Sequence, residues 1–329
     1  MLRRLVAVFL VILLVGAGSA AGLWQWAKSR YTSPGQRLDN TVVLIPKGAG
    51  ITVIVDILSR AGVLRDQAER TLIPLFARLD GQASSLRAGE YAIPPDYSLA
   101  DVVAMLASGR NQVQYTLTIP EGLTVQEALE KVRALEVLEG DITVTPNEGD
   151  LMPETYQLLR GDNRTTVVRR MMTAQATLLT DLWERRVAGL PLKSPREALT
   201  LASVVEKETG VAAERRRVAG VFINRLRLGM PLQSDPTVIY GLARNTGSLG
   251  RALTRKDLET DHAWNTYTRP GLPAGPIALP GRLALEAVLN PDVSKDLYFV
   301  ADGTGGHAFA ETLDEHNRNV AHWRKLQKN

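Results

Sequence analysis

Residues 194–210 read "SPREALTLASVVEKETG" and describe an apolar helix that ends in two glutamates and a lysine. Ser194, Pro195 and Glu197 supply an N-cap, a proline at the first helical position and an acid at the third. Because these residues set where the helix begins, they also set which residues share a face. The segment predicts a helix that packs along one side.

The two glutamates differ in their position around this helix. At about 100° per residue, Glu208 lies roughly 40° from the centre of the apolar face and Glu206 roughly 120° away, while Lys207 points outward. The apolar face consists of Ala198, Leu201, Ala202, Val204 and Val205. Glu208 is therefore predicted to lie on the packed side and Glu206 nearer the flank.

A carboxylate on a packed helix face is costly unless it is paired or protonated. Partial burial raises its pKa toward the range of a general acid. Two alternatives stay open on these residues alone. In the first, Glu208 ends the helix at solvent, since Thr209 and Gly210 follow at once; in the second, it pairs with an arginine of residues 215–217.

The first thirty residues have a composition of their own. Residues 5–23 carry no charge, and about 20 apolar residues cross a bilayer. Two arginines precede this run, and Trp24 and Trp26 follow it. The pattern predicts a cytoplasmic N-terminus and one transmembrane helix over residues 1–28, with the rest outside the cytoplasmic membrane. A cleaved signal peptide is the alternative, because "AGSA" at 17–20 suits a signal peptidase.

Composition excludes several classes of site. The 329 residues include no cysteine, which excludes disulfides, thiolate metal sites and cysteine nucleophiles. The net charge of +4 comes with basic residues clustered near the apolar helix, so it indicates membrane placement and no nucleic-acid partner.

A recurring unit follows a polar linker at residues 29–39. The segments "VLIPKGAGITVIVDIL", "YAIPPDYSLADVVAML" and "LTIPEGLTVQEALEKV" each run from a strand through Ile-Pro and a turn into an amphipathic helix. Residues 40–115 are predicted to form a small α+β module in the order strand, helix, helix, strand. This order resembles LysM-type glycan-binding modules; a spacer that only orients its neighbour is the alternative.

Residues 116–329 are predicted to form a mainly helical domain with long loops, which makes the whole chain α+β. The stretch "NTYTRPGLPAGPIALPG", 265–281, holds too many prolines and glycines for a helix or an interior strand. "LYFVADGTGGHAFAET" predicts a β-hairpin, followed by a polar C-terminal helix from about residue 313.

Other residue types give weaker signals. Ser203 and Lys207 lack the Ser-x-x-Lys spacing of penicillin-binding enzymes. The histidines at 262, 307, 316 and 322 form no metal motif, so no metal is expected. Asp235 precedes Pro236 and a helical segment, which predicts an N-cap.

The segments "LASVVEKETG", "VFINRLRLGMPLQSDPTVIYG", "NTYTRPGLPAGPIALPG" and "YFVADGTGGHAF" resemble the MltG (YceG-like) endolytic murein transglycosylases. The resemblance covers essentially the whole chain. It implies cleavage of the bond between N-acetylmuramic acid and N-acetylglucosamine inside peptidoglycan strands, leaving a 1,6-anhydro end. It also implies a protein of the cytoplasmic membrane that trims or terminates new strands, associates with penicillin-binding synthases and needs no cofactor.

The same resemblance assigns roles to particular residues. The catalytic acid falls on Glu208, the second glutamate of Glu-Lys-Glu. Residues implied to line the groove are Gln233, Ser234, Asp235, Tyr240, Asn265 and Tyr267, with Pro153, Glu154, Thr155 and Tyr156 from "MPETY". Leu151 and Met152 replace the aromatic residues that the family tends to have before this proline, which leaves Trp264, Tyr240 and Tyr267 as the expected ring platforms.

Two rival functions remain open from the sequence. A muramidase would hydrolyse the same bond by using Glu208 with Glu206, Glu154 or Asp235, since ordinary glycosidases use two carboxylates. A membrane-anchored scaffold of the cell-wall synthesis machinery would bind glycan without cutting it.

Overall fold

The computed structural model describes residues 2–243 and 247–327, and the chain divides into two compact units. The first unit runs up to Tyr115 and includes Leu158–Gly161, while the second holds the rest from Thr116 onward. Helices and small two-stranded sheets together make an α+β fold.

The first unit is built around one antiparallel strand pair. Thr41 lies opposite Ile93 and Ile45 opposite Gly89. Its elements are α1 (Leu2–Thr32), β1 (Thr41–Ile45), α2 (Ile51–Arg60), α3 (Gln67–Leu79), β2 (Gly89–Ile93) and α4 (Leu99–Ser108). β1, α2, α3 and β2 follow the predicted order of strand, helix, helix and strand.

Helix α1 is long and apolar enough to cross a membrane, with a mean hydropathy of 2.5 over its most apolar window. It continues through Thr32, so residues 29–32 are helical and the predicted linker begins later. The reason is packing: Tyr31 is buried and its ring stacks on Phe76 at 4.4 Å between centroids. Arg30 also forms ion pairs with Asp66 and Glu69.

The predicted strand-to-helix unit occurs three times. β1 leads to α2, β2 leads to α4, and β3 (Gln114–Thr118) leads to α5 (Val125–Ala134). The capping box at Ser98 and Asp101 is confirmed, with reciprocal backbone-to-side-chain bonds of 3.0 and 3.2 Å. Thr124 and Glu127 form the second one.

The second unit is mainly helical, as predicted. After β4 (Thr155–Leu159), which pairs with β3, its elements are α6 (Arg164–Glu184), α7 (Pro195–Glu208), a 3-10 turn (Ala212–Glu214), α8 (Arg215–Arg227), α9 (Asp235–Ala243), α10 (Arg255–Glu259), α11 (Arg282–Leu289), β5 (Tyr298–Ala301), β6 (His307–Ala310) and α12 (Leu313–Leu326).

Helix α7 is the centre of this unit. Ser194 caps it by accepting the Glu197 N–H at 3.2 Å, and Pro195 occupies its first turn, as predicted. Every residue from Ala198 to Val205 is buried, because α6, α8, α9 and α11 all contact the helix. The prediction of one packed face was therefore too narrow.

The C-terminal part supplies the predicted hairpin. β5 and β6 pair antiparallel, with Tyr298 opposite Ala310 and Ala301 opposite His307. Helix α12 contacts both strands. Residues 265–281 contain no helix or strand element, in agreement with their proline content.

Candidate active site

Glu208 is the last residue of α7, and its side chain borders a cavity of about 510 Å³. The Ser234 hydroxyl donates a hydrogen bond to Oε1 of Glu208. The lining residues are Glu208, Phe222, Arg225, Leu232, Gln233, Asp235, Tyr267, Tyr298, Phe299, Val300, Leu313, His316 and Val320. The helix does end at Glu208, as the solvent-boundary alternative required, but the carboxyl group enters this cavity.

The surroundings of Glu208 favour its protonated form. Burial raises the pKa of Glu208 to about 7, and the negative charge of Asp235 acts in the same direction. The Ser234 hydrogen bond and the positive charges of His307 and Arg225 oppose this rise. A carboxyl group with a pKa near neutrality can both give and take a proton, which suits acid–base catalysis.

A strained turn presents Ser234 to Glu208. Gln233 has a φ of +52°, a left-handed conformation that is uncommon for a residue with a side chain. Thr266 holds the turn, since its carbonyl accepts the Gln233 N–H at 3.1 Å and its hydroxyl accepts the Ser234 N–H at 3.0 Å. Such strain tends to occur at functional sites.

Asp235 is the second carboxylate on the described lining of the cavity. The predicted N-cap role is wrong, because α9 begins at Asp235 itself. Its Oδ1 instead accepts a hydrogen bond from the Tyr267 hydroxyl at 2.6 Å. Burial and this neighbouring carboxylate raise the pKa of Tyr267, so Tyr267 remains a donor.

The carboxylate of Glu206 is bound by other protein groups and does not line the cavity. Its side chain is 6% exposed, contrary to the predicted flank position, and it pairs with Arg215 at 3.3 Å. Its Oε2 accepts the Gly281 N–H at 3.0 Å. The sequence left open an ion pair between Glu208 and an arginine of residues 215–217, and the structure shows this pair at Glu206. Lys207 is exposed and donates to the Gly122 carbonyl at 3.2 Å.

Of the residues that the resemblance implied for the groove, Gln233, Asp235 and Tyr267 line this cavity, and Ser234 reaches it only through its bond to Glu208. The other six do not line it: Tyr240, Asn265, Pro153, Glu154, Thr155 and Tyr156. Tyr240 lies against Trp264 at 5.6 Å and donates to Glu148 at 3.1 Å. Asn265 is buried and accepts the Tyr267 N–H at 2.8 Å, which places it behind the site. Tyr156 is buried with its hydroxyl on the Met152 carbonyl at 2.7 Å, and Glu154 is exposed.

Leu151, Met152 and Ser203 are core residues and do not belong to the site. Leu151 and Met152 are buried in the second unit, so they offer no stacking surface to a sugar. Ser203 is fully buried, donates to the Thr200 carbonyl at 2.7 Å and accepts the Ile277 N–H at 3.0 Å. This makes Ser203 a core residue and not a nucleophile.

Comparison with known proteins places these features in a family. A model of the YceG-like family matches residues 43–322, which include Glu208 and every residue that lines the cavity. The chain belongs to the YceG-like family. An endolytic murein transglycosylase of Bacillus subtilis (strain 168) is 30% identical over 304 residues, covering 83% of this chain and 82% of the relative.

Two further proteins are similar to most of this chain. An endolytic murein transglycosylase of Streptococcus pneumoniae (strain ATCC BAA-255 / R6) is 29% identical over 97% of this chain, which spans 65% of that relative. The crystal structure of a yceG-like protein from Listeria monocytogenes matches with a TM-score of 0.51 and 29% identity, covering 85% of this chain and 99% of the other.

The structure of this YceG-like protein adds a wall that sequence reasoning missed. Arg225, Tyr298, Phe299 and His316 lie along the cavity, on α8, on the hairpin and on α12. One signal was available: Arg225 follows Val218, Val221 and Phe222 at the spacing of an apolar helix face. The packing of the hairpin and of α12 against the cavity could not be predicted from the residues of these segments alone.

Proposed function

We propose that this YceG-like protein is a membrane-anchored lytic transglycosylase that cuts the bond between N-acetylmuramic acid and N-acetylglucosamine within peptidoglycan strands. The observation that carries the proposal is Glu208, a carboxyl group with a raised pKa at a cavity of about 510 Å³ in the second unit. The names of the Bacillus and Streptococcus relatives support the substrate class.

Glu208 acts first as an acid. It gives its proton to the glycosidic oxygen, and the bond from this oxygen to C1 of the muramyl residue breaks. Ser234 then stabilises the resulting carboxylate through its hydrogen bond to Oε1.

Glu208 acts next as a base. The 6-hydroxyl oxygen of the same muramyl residue bonds to C1, and its proton passes to the Glu208 carboxylate. This closes the 1,6-anhydro ring, restores the protonated enzyme and consumes no water. One carboxyl group with a pKa near neutrality is sufficient for both transfers.

The hydrolytic alternative requires a second carboxylate at the reacting bond. Asp235 is its best candidate, because it shares the cavity with Glu208. Glu206 is committed to Arg215 and Gly281, and Glu154 is exposed away from the cavity lining. The tight hydrogen bond from Tyr267 to Asp235 favours a positioning role for Asp235.

The remaining parts of the proposal concern placement. Helix α1 anchors the protein in the cytoplasmic membrane with its N-terminus inside, since two arginines precede the apolar run. The first unit contains a LysM-like module that orients or binds glycan, and the cleavage product trims or ends nascent strands. Penicillin-binding synthases are the proposed partners.

The test compares the full-length protein in detergent with its Glu208→Gln variant on purified peptidoglycan. Glu208→Gln should release no soluble fragments while still binding the strands and unfolding cooperatively. Glu259→Gln, in an exposed ion pair of α10, is the matched control and should cut normally. Undiminished release by Glu208→Gln removes Glu208 from the reaction, and binding without release by the wild type supports the scaffold.

A further inference from the structure

Arg225 is a buried cation at the wall of the cavity. Only 8% of the residue is exposed, and it lines the same space as Glu208. Its Nε donates to the Leu297 carbonyl at 2.7 Å, and its Nη1 donates to the carbonyls of Leu232 at 2.7 Å and Pro231 at 3.3 Å. Three donors of the guanidinium are thus used by the backbone.

The other edge of the guanidinium has no hydrogen-bond partner within residues 2–243 and 247–327. Among the residues that the structure describes, Nη2 donates to no acceptor, and Arg225 has no ion pair, although the Glu208 carboxyl is near enough to interact with its charge. Nη2 is also absent from the buried polar atoms that lack a partner. Nη2 is therefore accessible, on a residue that lines the cavity.

Neighbouring rings hold this edge in place. The Arg225 guanidinium carbon lies 5.2 Å from the centre of the Tyr298 ring, a cation–π distance. The His316 ring stacks on Tyr298 at 5.2 Å and 23°. The guanidinium plane is fixed by carbonyls and by an aromatic ring, so its free donors are preorganised for a ligand.

The chemistry of a buried guanidinium selects the ligand. A desolvated cation without an ion-pair partner is costly, and a guanidinium edge binds a carboxylate more strongly than a neutral acceptor. In peptidoglycan the sugar rings carry neutral hydroxyl and acetamide groups. Acid groups occur on the peptide where one is attached to the lactyl group, and on the lactyl group itself where the peptide has been removed.

We propose that the free Nη2 edge of Arg225 binds a carboxylate of the lactyl–peptide arm and makes Arg225 a specificity-determining residue. This rests on the proposed function, because it assumes a peptidoglycan strand in the cavity. Glycan strands that retain an acidic arm are then bound in preference to neutral ones.

The first experiment uses the wild-type protein and changes the substrate. Strands with free carboxylates are compared with strands whose carboxylates have been converted to amides, and KM and kcat are measured for each. Loss of a charged hydrogen bond should raise KM about tenfold or more, with little change in kcat. Equal KM values for free and amidated strands, both with their peptides and after removal of the peptides, overturn the proposal.

A third substrate identifies which carboxylate is bound. An amidase removes the peptides and leaves a free carboxylate on the lactyl group. A low KM on these stripped strands assigns the lactyl carboxylate, and a raised KM assigns an acid group of the peptide.

Arg225→Gln and Arg225→Lys connect the preference to this residue. Arg225→Gln should cut free and amidated strands with the same KM, whereas Arg225→Lys keeps part of the difference through its charge. Binding of a neutral chitin oligosaccharide and thermal unfolding report whether each variant is folded. If a variant is not folded, the wild-type comparison of substrates still decides.

Arg225 also lies near enough to Glu208 to affect its charge, which gives a rival role. If Arg225→Gln changes only the pH dependence of kcat and leaves the preference for acidic strands intact, Arg225 acts through Glu208 and the proposal is wrong. Normal turnover by Glu208→Gln would be a separate result, since it contradicts the proposed mechanism and not the carboxylate site.

Discussion

At the residue scale, the proton affinity of Glu208 is a balance of opposing neighbours. Burial and Asp235 favour the protonated acid, while Ser234, His307 and Arg225 favour the carboxylate. These groups come from α8, α9, the turn before α9 and the hairpin, so the balance depends on tertiary structure. In the proposed mechanism, this balance determines the pH range in which Glu208 can act as the acid.

The rate should fall as pH rises through about 7, the value to which burial raises the pKa of Glu208. The first step requires the protonated carboxyl, and its fraction drops about tenfold per pH unit above the pKa. Initial rates of anhydro-end formation between pH 5 and 9 measure this. A rate that stays constant from pH 6 to 9 contradicts the role of Glu208 as the acid.

Two substitutions should move this decline in opposite directions. Asp235→Asn removes a charge that raises the pKa of Glu208, so the decline should begin at lower pH. Ser234→Ala removes a donor that stabilises the carboxylate, so the decline should begin at higher pH. The midpoint of the pH–rate profile is the readout, and a shift of the same sign in both variants would refute the assigned causes.

The position of Glu208 on the packed side of α7 could be predicted from the sequence, because Ser194, Pro195 and Glu197 define where the helix begins. The burial of Glu206 could not. Its side chain is enclosed by Arg215, by Gly281 and by Glu121, whose carboxyl lies close to it. These contacts join segments up to 85 residues apart in sequence. The spacing of apolar residues within one helix cannot predict them.

At the element scale, the contacts of Glu206 hold the C-terminal end of α7 in place. Glu206→Gln should destabilise the protein by about 3 kcal/mol, because it leaves the Arg215 charge buried without its partner. Glu259→Gln is the matched control, since its pair with Arg255 is exposed and worth about 0–1 kcal/mol. Thermal unfolding compares the two variants, and equal melting temperatures would contradict this role for Glu206.

The elements themselves were largely predictable where they carry their own signals. Capping boxes at Ser98 and Thr124 and the proline content of residues 265–281 identified helix starts and an extended loop. The residues of the candidate site were harder to predict from the sequence. Asn265 and Tyr156 have polar side chains that could bind a ligand, but these groups hydrogen-bond to nearby backbone instead. Only the three-dimensional contacts show this.

At the scale of the whole molecule, α1 combines two kinds of surface in one helix. Its first part is apolar and exposed, as a membrane anchor must be, whereas Ala27 and Tyr31 are buried in the core of the first unit. The boundary between the exposed apolar part and the packed part is therefore not a change in secondary structure. Sequence composition placed it at Lys28 because the polar residues that follow resemble a linker.

A chain that begins at Trp24 should be more stable than one that begins at Gln36. The shorter chain loses the Tyr31 ring from its stack on Phe76, and removal of a buried aromatic side chain costs about 3 kcal/mol or more. Thermal unfolding of the two chains measures the difference, with Tyr31→Ala in the longer chain as the control. Equal stability would mean that α1 contributes nothing beyond anchoring.

The measurement that tests the central claim most directly is the mass of the glycan ends released from purified peptidoglycan by the full-length protein. The mechanism through Glu208 predicts ends lighter by one water than hydrolysed ends, and no such ends from Glu208→Gln. Hydrated reducing ends would contradict it and would assign the second carboxylate of a hydrolase to Asp235.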